Sequence, residues 1–135
     1  MEILNFRSKH QYQASALGIE LPITISVGAH VGISLLAKVD TGATFCIFQR
    51  EYADALGIEV EGGLAKIVAT PTGSFEAYGH TVKLSCFEYE FDSVVYFARH
   101  YEFHRNVLGL QGWLDKLRFG LVHHEASLFL SHYDD

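Results

Sequence analysis

The sequence is poor in several features that mark whole classes of protein. Its 135 residues include only two cysteines, two prolines, one methionine and one tryptophan. Cys46 and Cys86 stand 40 positions apart, each in an apolar stretch. That arrangement suits buried reduced thiols better than a disulfide framework or a CxxC metal site. Reduced thiols in turn suggest a cytoplasmic, reducing location. Basic residues are scarce relative to acidic ones: 10 Lys and Arg stand against 16 Asp and Glu, a formal charge of −6. With no local run of Lys or Arg, a nucleic-acid backbone is not an expected partner. No segment approaches the roughly 18 consecutive apolar residues of a membrane span. The opening residues Met1 to Arg7 lack the basic-then-apolar order of a secretory signal, so no membrane association is expected.

What is present describes one domain. The length is close to the ~150 residues of a typical domain. A 49% apolar and 19% charged composition is enough to bury a single core and excludes a disordered chain. There is no internal repeat and no linker rich in Pro, Gly or Ser. The expected organisation is an N-terminal arm or extension over 1–19, a domain over 20–131 and a short tail over 132–135.

The patterning is mostly that of strands. Leu21 to Val27 alternates apolar and small polar residues at period two, and many of them are β-branched, which predicts a half-buried strand. Val31 to Val39 reads as a second strand running directly into Asp40. Further strands are expected over Leu64 to Ala69, Ser74 to Leu84, Cys86 to Phe91 and Val94 to Arg99. Thr70-Pro71-Thr72-Gly73 supplies the turn of a protruding hairpin. Phe119 to His123 and Ser127 to Leu130 read as a closing hairpin around Glu125. Short helices are expected over Gln49 to Leu56, ended by Gly57, and over Leu110 to Leu117, with Gly120 beyond it. The fold class is all-β with one or two short helices.

One constellation carries chemistry. Leu35 to Val39 is apolar but for Lys38, and it leads into Asp40-Thr41-Gly42-Ala43-Thr44. An acid at the end of a buried strand needs donors, because a buried charge without partners is costly. A purely structural account makes Asp40 an Asx-turn residue accepting from the Gly42 and Ala43 amides. Downstream, Asn106-Val107-Leu108-Gly109-Leu110 places two apolar residues and a glycine directly before the second short helix.

Together, the Asp-Thr-Gly-Ala strand end, the later apolar-apolar-Gly segment and the Gly-containing hairpin between them resemble the retropepsin family of aspartic proteases. The resemblance covers roughly Leu21 to Leu130. It implies a single-domain acid-protease β-barrel without a cofactor or metal, active as a homodimer on peptide or protein substrates. By that resemblance Asp40 is the catalytic aspartate, Thr41 braces the site across the two halves, and Gly42 lets substrate approach the backbone. Ala43 then lies against substrate, and Thr72, Gly73 and Ser74 fall in the flap that closes over it. Gly109 is a structural glycine beside the active-site loop, and Ser127 to Leu130 falls where many members build their subunit interface.

The need for two such acids follows from electrostatics alone. Two carboxylates about 3 Å apart cannot both ionise, so one keeps a proton while the other acts as base on a water. The protonated partner then delivers its proton to the scissile amide. Asp-Thr-Gly occurs once in the chain, and Asp92-Ser93 is followed by Val94 rather than Gly. One chain therefore holds half a site, and a two-domain pepsin-like arrangement is excluded by length and motif count.

The sequence departs from the retroviral pattern at Thr44 and Leu110. There the retroviral members place an Asp and an Arg as an ion pair; losing both together leaves no unpaired buried charge, as in a cellular, bacterial-type branch. Ile47, Val68 and Val107 are expected around the motif as apolar pocket residues. His100 and His104 have the spacing of two metal ligands on a helix, but Val94 to Phe103 reads as strand, where residues four apart are roughly 13 Å apart. His123-His124-Glu125 reads as a solvated turn. Tyr89, Phe91, Tyr96, Phe97, Tyr101 and Phe103 are core and strand-face aromatics, with a peptide-groove role open for some. Cys46 has no basic neighbour to activate it as a nucleophile. Three functions follow in order: a homodimeric aspartic endopeptidase, a catalytically silent dimeric peptide- or protein-binding domain of the same fold, and a metal-dependent protein using the histidines.

Overall fold

The computed structural model describes all residues, 1–135. Alternation sets its first long strands. β1 (Ser8–Gln11) and β2 (Ala14–Ser15) precede β3 (Gly18–Ser26), whose Leu21, Ile23 and Ile25 are buried while Pro22 faces out. β4 (Ile33–Val39) pairs antiparallel with β3 and buries Leu35 and Ala37 against it. After β5 (Ile47–Phe48), α1 (Arg50–Ala55) makes one and a half turns and stops at Gly57, whose φ of +73° is the left-handed conformation expected of a C′ glycine.

Three strands then form a long meander. β6 (Leu64–Thr70), β7 (Gly73–Cys86) and β8 (Tyr89–Ala98) pair antiparallel in sequence order. The expected break at Asp92-Ser93 is absent. Tyr89 to Ala98 is one continuous strand, and the chain turns at Phe87-Glu88, inside the expected strand Cys86 to Phe91, so that Cys86 ends β7 instead. Ser93 stays in the strand because its buried hydroxyl donates to the Gly112 carbonyl at 2.5 Å. Phe87 takes the left-handed turn position, with φ +54°, and its ring stacks on His10 at 3.8 Å. A turn built on an aromatic residue carries none of the usual Gly, Asn or Pro signals.

The chain closes with β9 (Val107–Leu108), β10 (Leu117–Val122) and β11 (Ser127–His132). Eight strands form one sheet in the order β2-β3-β4-β9-β5-β8-β7-β6, and β3 also pairs with β7. β1, β11 and β10 form a second sheet with β11 in the centre. Residues 8–11 are thus ordered against the last strand, and the Arg7 guanidinium pairs with the Asp135 carboxylate at 2.5 Å. The architecture is all-β with one short α-helix.

The second expected helix, Leu110 to Leu117, is reduced to a single 3₁₀ turn over Leu114–Lys116. The run is broken in its middle rather than at its start: the Leu114 and Asp115 amides donate to the Gly109 and Leu110 carbonyls, five residues back rather than four. The Leu110 and Gln111 amides donate to Ala43 and Thr44 carbonyls at 2.9 and 2.8 Å, and Gly112 sits at φ +100°. No helix of the structure is long and apolar enough to cross a membrane.

Trp113, Phe48, Phe97, Tyr89 and Leu84 centre the main core. Cys46 and Cys86 belong to it as free thiols, 0% and 1% exposed, and burial pushes both up to about 12. A thiol so raised stays protonated and inert at neutral pH. Neither cysteine is expected to react with a thiol-specific disulfide reagent at pH 8 while the protein is folded, and both are expected to react after unfolding. Rapid labelling of native protein would contradict this packing.

Candidate active site

The site begins where β4 ends. β9 lies parallel beside β4, with Lys38 opposite Val107 and Val39 opposite Leu108. The Asp40 amide continues that ladder by donating to the Leu108 carbonyl at 3.0 Å. The chain then turns sharply. The Gly42 amide donates to Asp40 Oδ1 at 2.9 Å, and the Ala43 amide donates to the Asp40 backbone carbonyl at 3.1 Å. The Asx turn expected from the sequence is therefore made by Gly42 alone; Ala43 closes a backbone turn instead. Asp40 and Ala43 are half-buried, while Thr41, Gly42 and Thr44 are exposed. The second carboxylate oxygen accepts no hydrogen bond within the chain. A held oxygen and a free one, presented at a surface loop, leave the acid oriented and available.

The segment after β9 fixes this loop from beneath. Gly109 packs so closely that an added Cβ would stand 2.3 Å from the Phe45 carbonyl oxygen and 2.8 Å from that of Ala43. The backbone then crosses: Leu110 and Gln111 donate to Ala43 and Thr44, and Phe45 bridges Gln111 in parallel. Thr44 and Leu110, which lack the charges of the retroviral ion pair, thus sit on two segments joined through main-chain hydrogen bonds. Cys46 packs under the same crossing, its sulfur 3.5 Å from the Gly109 amide.

Thr72, Gly73 and Ser74 lie elsewhere, at the exposed tip of the β6–β7 hairpin. Thr70 pairs with Gly73, so Pro71 and Thr72 form the two-residue loop, and Gly73 has φ +146°. The Thr70 hydroxyl donates to the Gly73 carbonyl at 2.9 Å. No hydrogen bond joins the tip to the Asp40 loop. What connects hairpin and loop is a small apolar cluster of Ile47, Ala77 and Tyr96, with Phe45, Val68, Phe75 and Phe103 packed on it. Val68 packs against the cluster that contains Ile47, and Val107 pairs with Ile47 across β5 and β9. Tyr96 is among the aromatics left open to a groove role, whereas nothing in the sequence marks Phe45 or Lys66 for this place. Lys66 carried no signal, since a lysine in a strand of half-exposed residues looks like any solvated side chain.

The histidines and the other aromatics are placed as follows. β8 ends at Ala98, so His100 and His104 sit in a loop rather than the strand expected through Phe103. No group of three His, Cys, Asp or Glu side chains is placed to hold a metal ion. His123 begins a 3₁₀ turn over His123–Glu125, and its Nδ1 is 2.7 Å from the Tyr12 hydroxyl. Tyr89, Tyr96 and Phe97 are buried, Phe91 and Phe103 half-buried, and Tyr101 exposed.

No protein-family model matches the chain, and no curated protein does either. Solved structures do. A retropepsin-like aspartic protease from Rickettsia conorii superposes with a TM-score of 0.64 at 20% identity, covering 92% of this chain and 98% of that one. The EIAV protease complexed with the inhibitor HBY-793 superposes with a TM-score of 0.52 at 15% identity, covering 67% of this chain and 79% of that one. The fold of this chain is that of the retropepsin-like aspartic proteases.

Proposed function

We propose that the protein is an aspartic endopeptidase that works as a homodimer, with Asp40 from each chain forming one site. The observation that carries this reading is the geometry of Asp40. One oxygen is held by the Gly42 amide at 2.9 Å, the other is free, and the loop bearing it is exposed on a chain that has a single such motif. Two copies related by a two-fold axis would bring the free oxygens together. One carboxylate would then take a proton from water as the other protonates the scissile amide.

The other residues take supporting roles in this reading. The exposed Thr41 hydroxyl braces the paired loops across the axis. Gly42 and Ala43 present backbone to an extended peptide, and Thr72, Gly73 and Ser74 close over it from the hairpin tip. β11 is already paired on both edges, by β1 and β10. A partner strand can add only to the outer edges of that sheet, or pack on its face. The free buried thiols support a reducing, cytoplasmic setting.

Subunit mixing tests the shared site. Wild-type protein is mixed and equilibrated with increasing Asp40→Asn at constant total concentration, and peptide cleavage is followed. Activity falling as the square of the wild-type fraction is expected when both acids are required. A linear fall would show that each chain acts alone. Absence of cleavage by a dimeric wild type would leave a peptide-binding domain without hydrolysis.

A further inference from the structure

Lys66 lies on β6 at the base of the hairpin, opposite Ala77 of β7. Its Nζ is 4.0 Å from the centroid of the Phe45 ring and 5.6 Å from that of Tyr96. The two rings are themselves 5.1 Å apart. Phe45 directly follows the Asp40–Thr44 loop, so one ammonium group stands between the hairpin and the segment carrying the acid. Val68, two residues along the same face, packs against the small cluster of Ile47, Ala77 and Tyr96.

The aromatic faces hold this cation without satisfying it. An ammonium has three N–H donors, and ring faces attract the charge while leaving those donors without a lone pair. The ion pairs of the chain are made by Arg7, His10, Arg50, Lys83 and Arg99; Lys66 makes none. The residue as a whole is half-buried. A cation held over two rings, with no acidic partner in the chain, is placed to pair with an incoming carboxylate.

We propose that Lys66 determines specificity by receiving the carboxylate of an Asp or Glu side chain close to the scissile bond. The inference rests on the peptidase reading of the Asp40 loop. A peptide extended between loop and hairpin directs alternate side chains to one face, so a single substrate position meets Lys66. The half-buried Phe45 accommodates the methylenes of a glutamate while its carboxylate reaches Nζ. The preference must be local, because a chain with a formal charge of −6 repels acidic peptides at long range.

The test uses fluorescently labelled peptides identical except for Glu or Gln at each position flanking the cut in turn, at pH 6, above the ordinary glutamate value of about 4.3. Cleavage is measured with wild type, Lys66→Met and Lys66→Arg. Binding of the same peptides is measured by fluorescence polarisation in the Asp40→Asn background. At one position Glu is expected to be preferred to Gln by about tenfold in kcat/KM, the scale of one well-placed charge pair. The preference should vanish in Lys66→Met and persist in Lys66→Arg. Equal use of Glu and Gln, or a preference that survives Lys66→Met, would overturn the role of Lys66 while leaving the peptidase intact. If wild type cuts nothing, the polarisation arm decides alone. Glu-dependent binding that Lys66→Met abolishes upholds acidic recognition and counts against hydrolysis, and no Glu-dependent binding overturns the inference.

Discussion

Asp40→Asn is expected to leave a folded protein in which cleavage has dropped by at least about 10²–10⁴-fold, the usual contribution of a positioned acid or base. The two halves of that expectation have separate physical origins. Folding survives because the one internal hydrogen bond to the Asp40 side chain comes from the Gly42 amide at 2.9 Å, and an asparagine carbonyl oxygen accepts it equally well. The backbone bonds from Asp40 to Leu108 and from Ala43 to Asp40 do not involve the side chain. Chemistry fails because an amide neither takes a proton from water nor returns one to a leaving group. In a homodimer the change strikes both acids at once, so no charged partner is left to compensate. Circular dichroism and thermal unfolding check the first half, and peptide cleavage between about pH 4 and 7 checks the second. Cleavage that persists in a folded Asp40→Asn protein would remove Asp40 from the chemistry.

Gly109→Ala is expected to be the most damaging single methyl group near the site. The added carbon would meet the Phe45 carbonyl oxygen at 2.3 Å, the Phe45 carbonyl carbon at 2.7 Å and the Ala43 carbonyl oxygen at 2.8 Å. All three are backbone atoms of the loop that follows Asp40, so no side chain can swing aside. Relief requires the crossing of residues 43–45 over 109–111 to open, which breaks the bonds from Leu110 and Gln111. Overpacking of this kind costs about 1–3 kcal/mol or more, and each kcal/mol lowers Tm by roughly 2–8 °C for domains near this size. Activity should fall further than stability, because the displaced backbone carries the acid. Gly62→Ala is the control: its nearest neighbours would be ordinary contacts with the Glu59 side chain at 3.8 Å and beyond. Equal Tm for the two variants would mean that the crossing is looser than described.

The sequence was most legible where a pattern is local. Period-two alternation in Leu21 to Val27 required a half-buried strand, and the structure buries Leu21, Ile23 and Ile25 there. Gly57 stopped the helix for the steric reason that only glycine enters the left-handed region freely. The Asx turn at Asp40 was legible because its donor is two residues away. Errors arose where long-range contacts overrode local signals. Asp92-Ser93 resembles a break until Gly112, distant in sequence, supplies an acceptor for the Ser93 hydroxyl. Leu110 to Leu117 has helical spacing, but Gly112 sits at φ +100°, outside the helical region, where it packs against Ser93, Val94 and Cys46.

By itself, then, the sequence determined an all-β domain with one acid placed after a buried strand. Both follow from interactions within a few residues, which composition and spacing encode directly. Only the tertiary structure decided that Gly109 presses against Phe45, that β11 is flanked on both edges, and that Lys66 rests on Phe45 and Tyr96. Apart from the β10–β11 hairpin, those contacts join residues separated by 21 to more than 100 positions. No local periodicity specifies them, because they are selected by packing of the whole sheet.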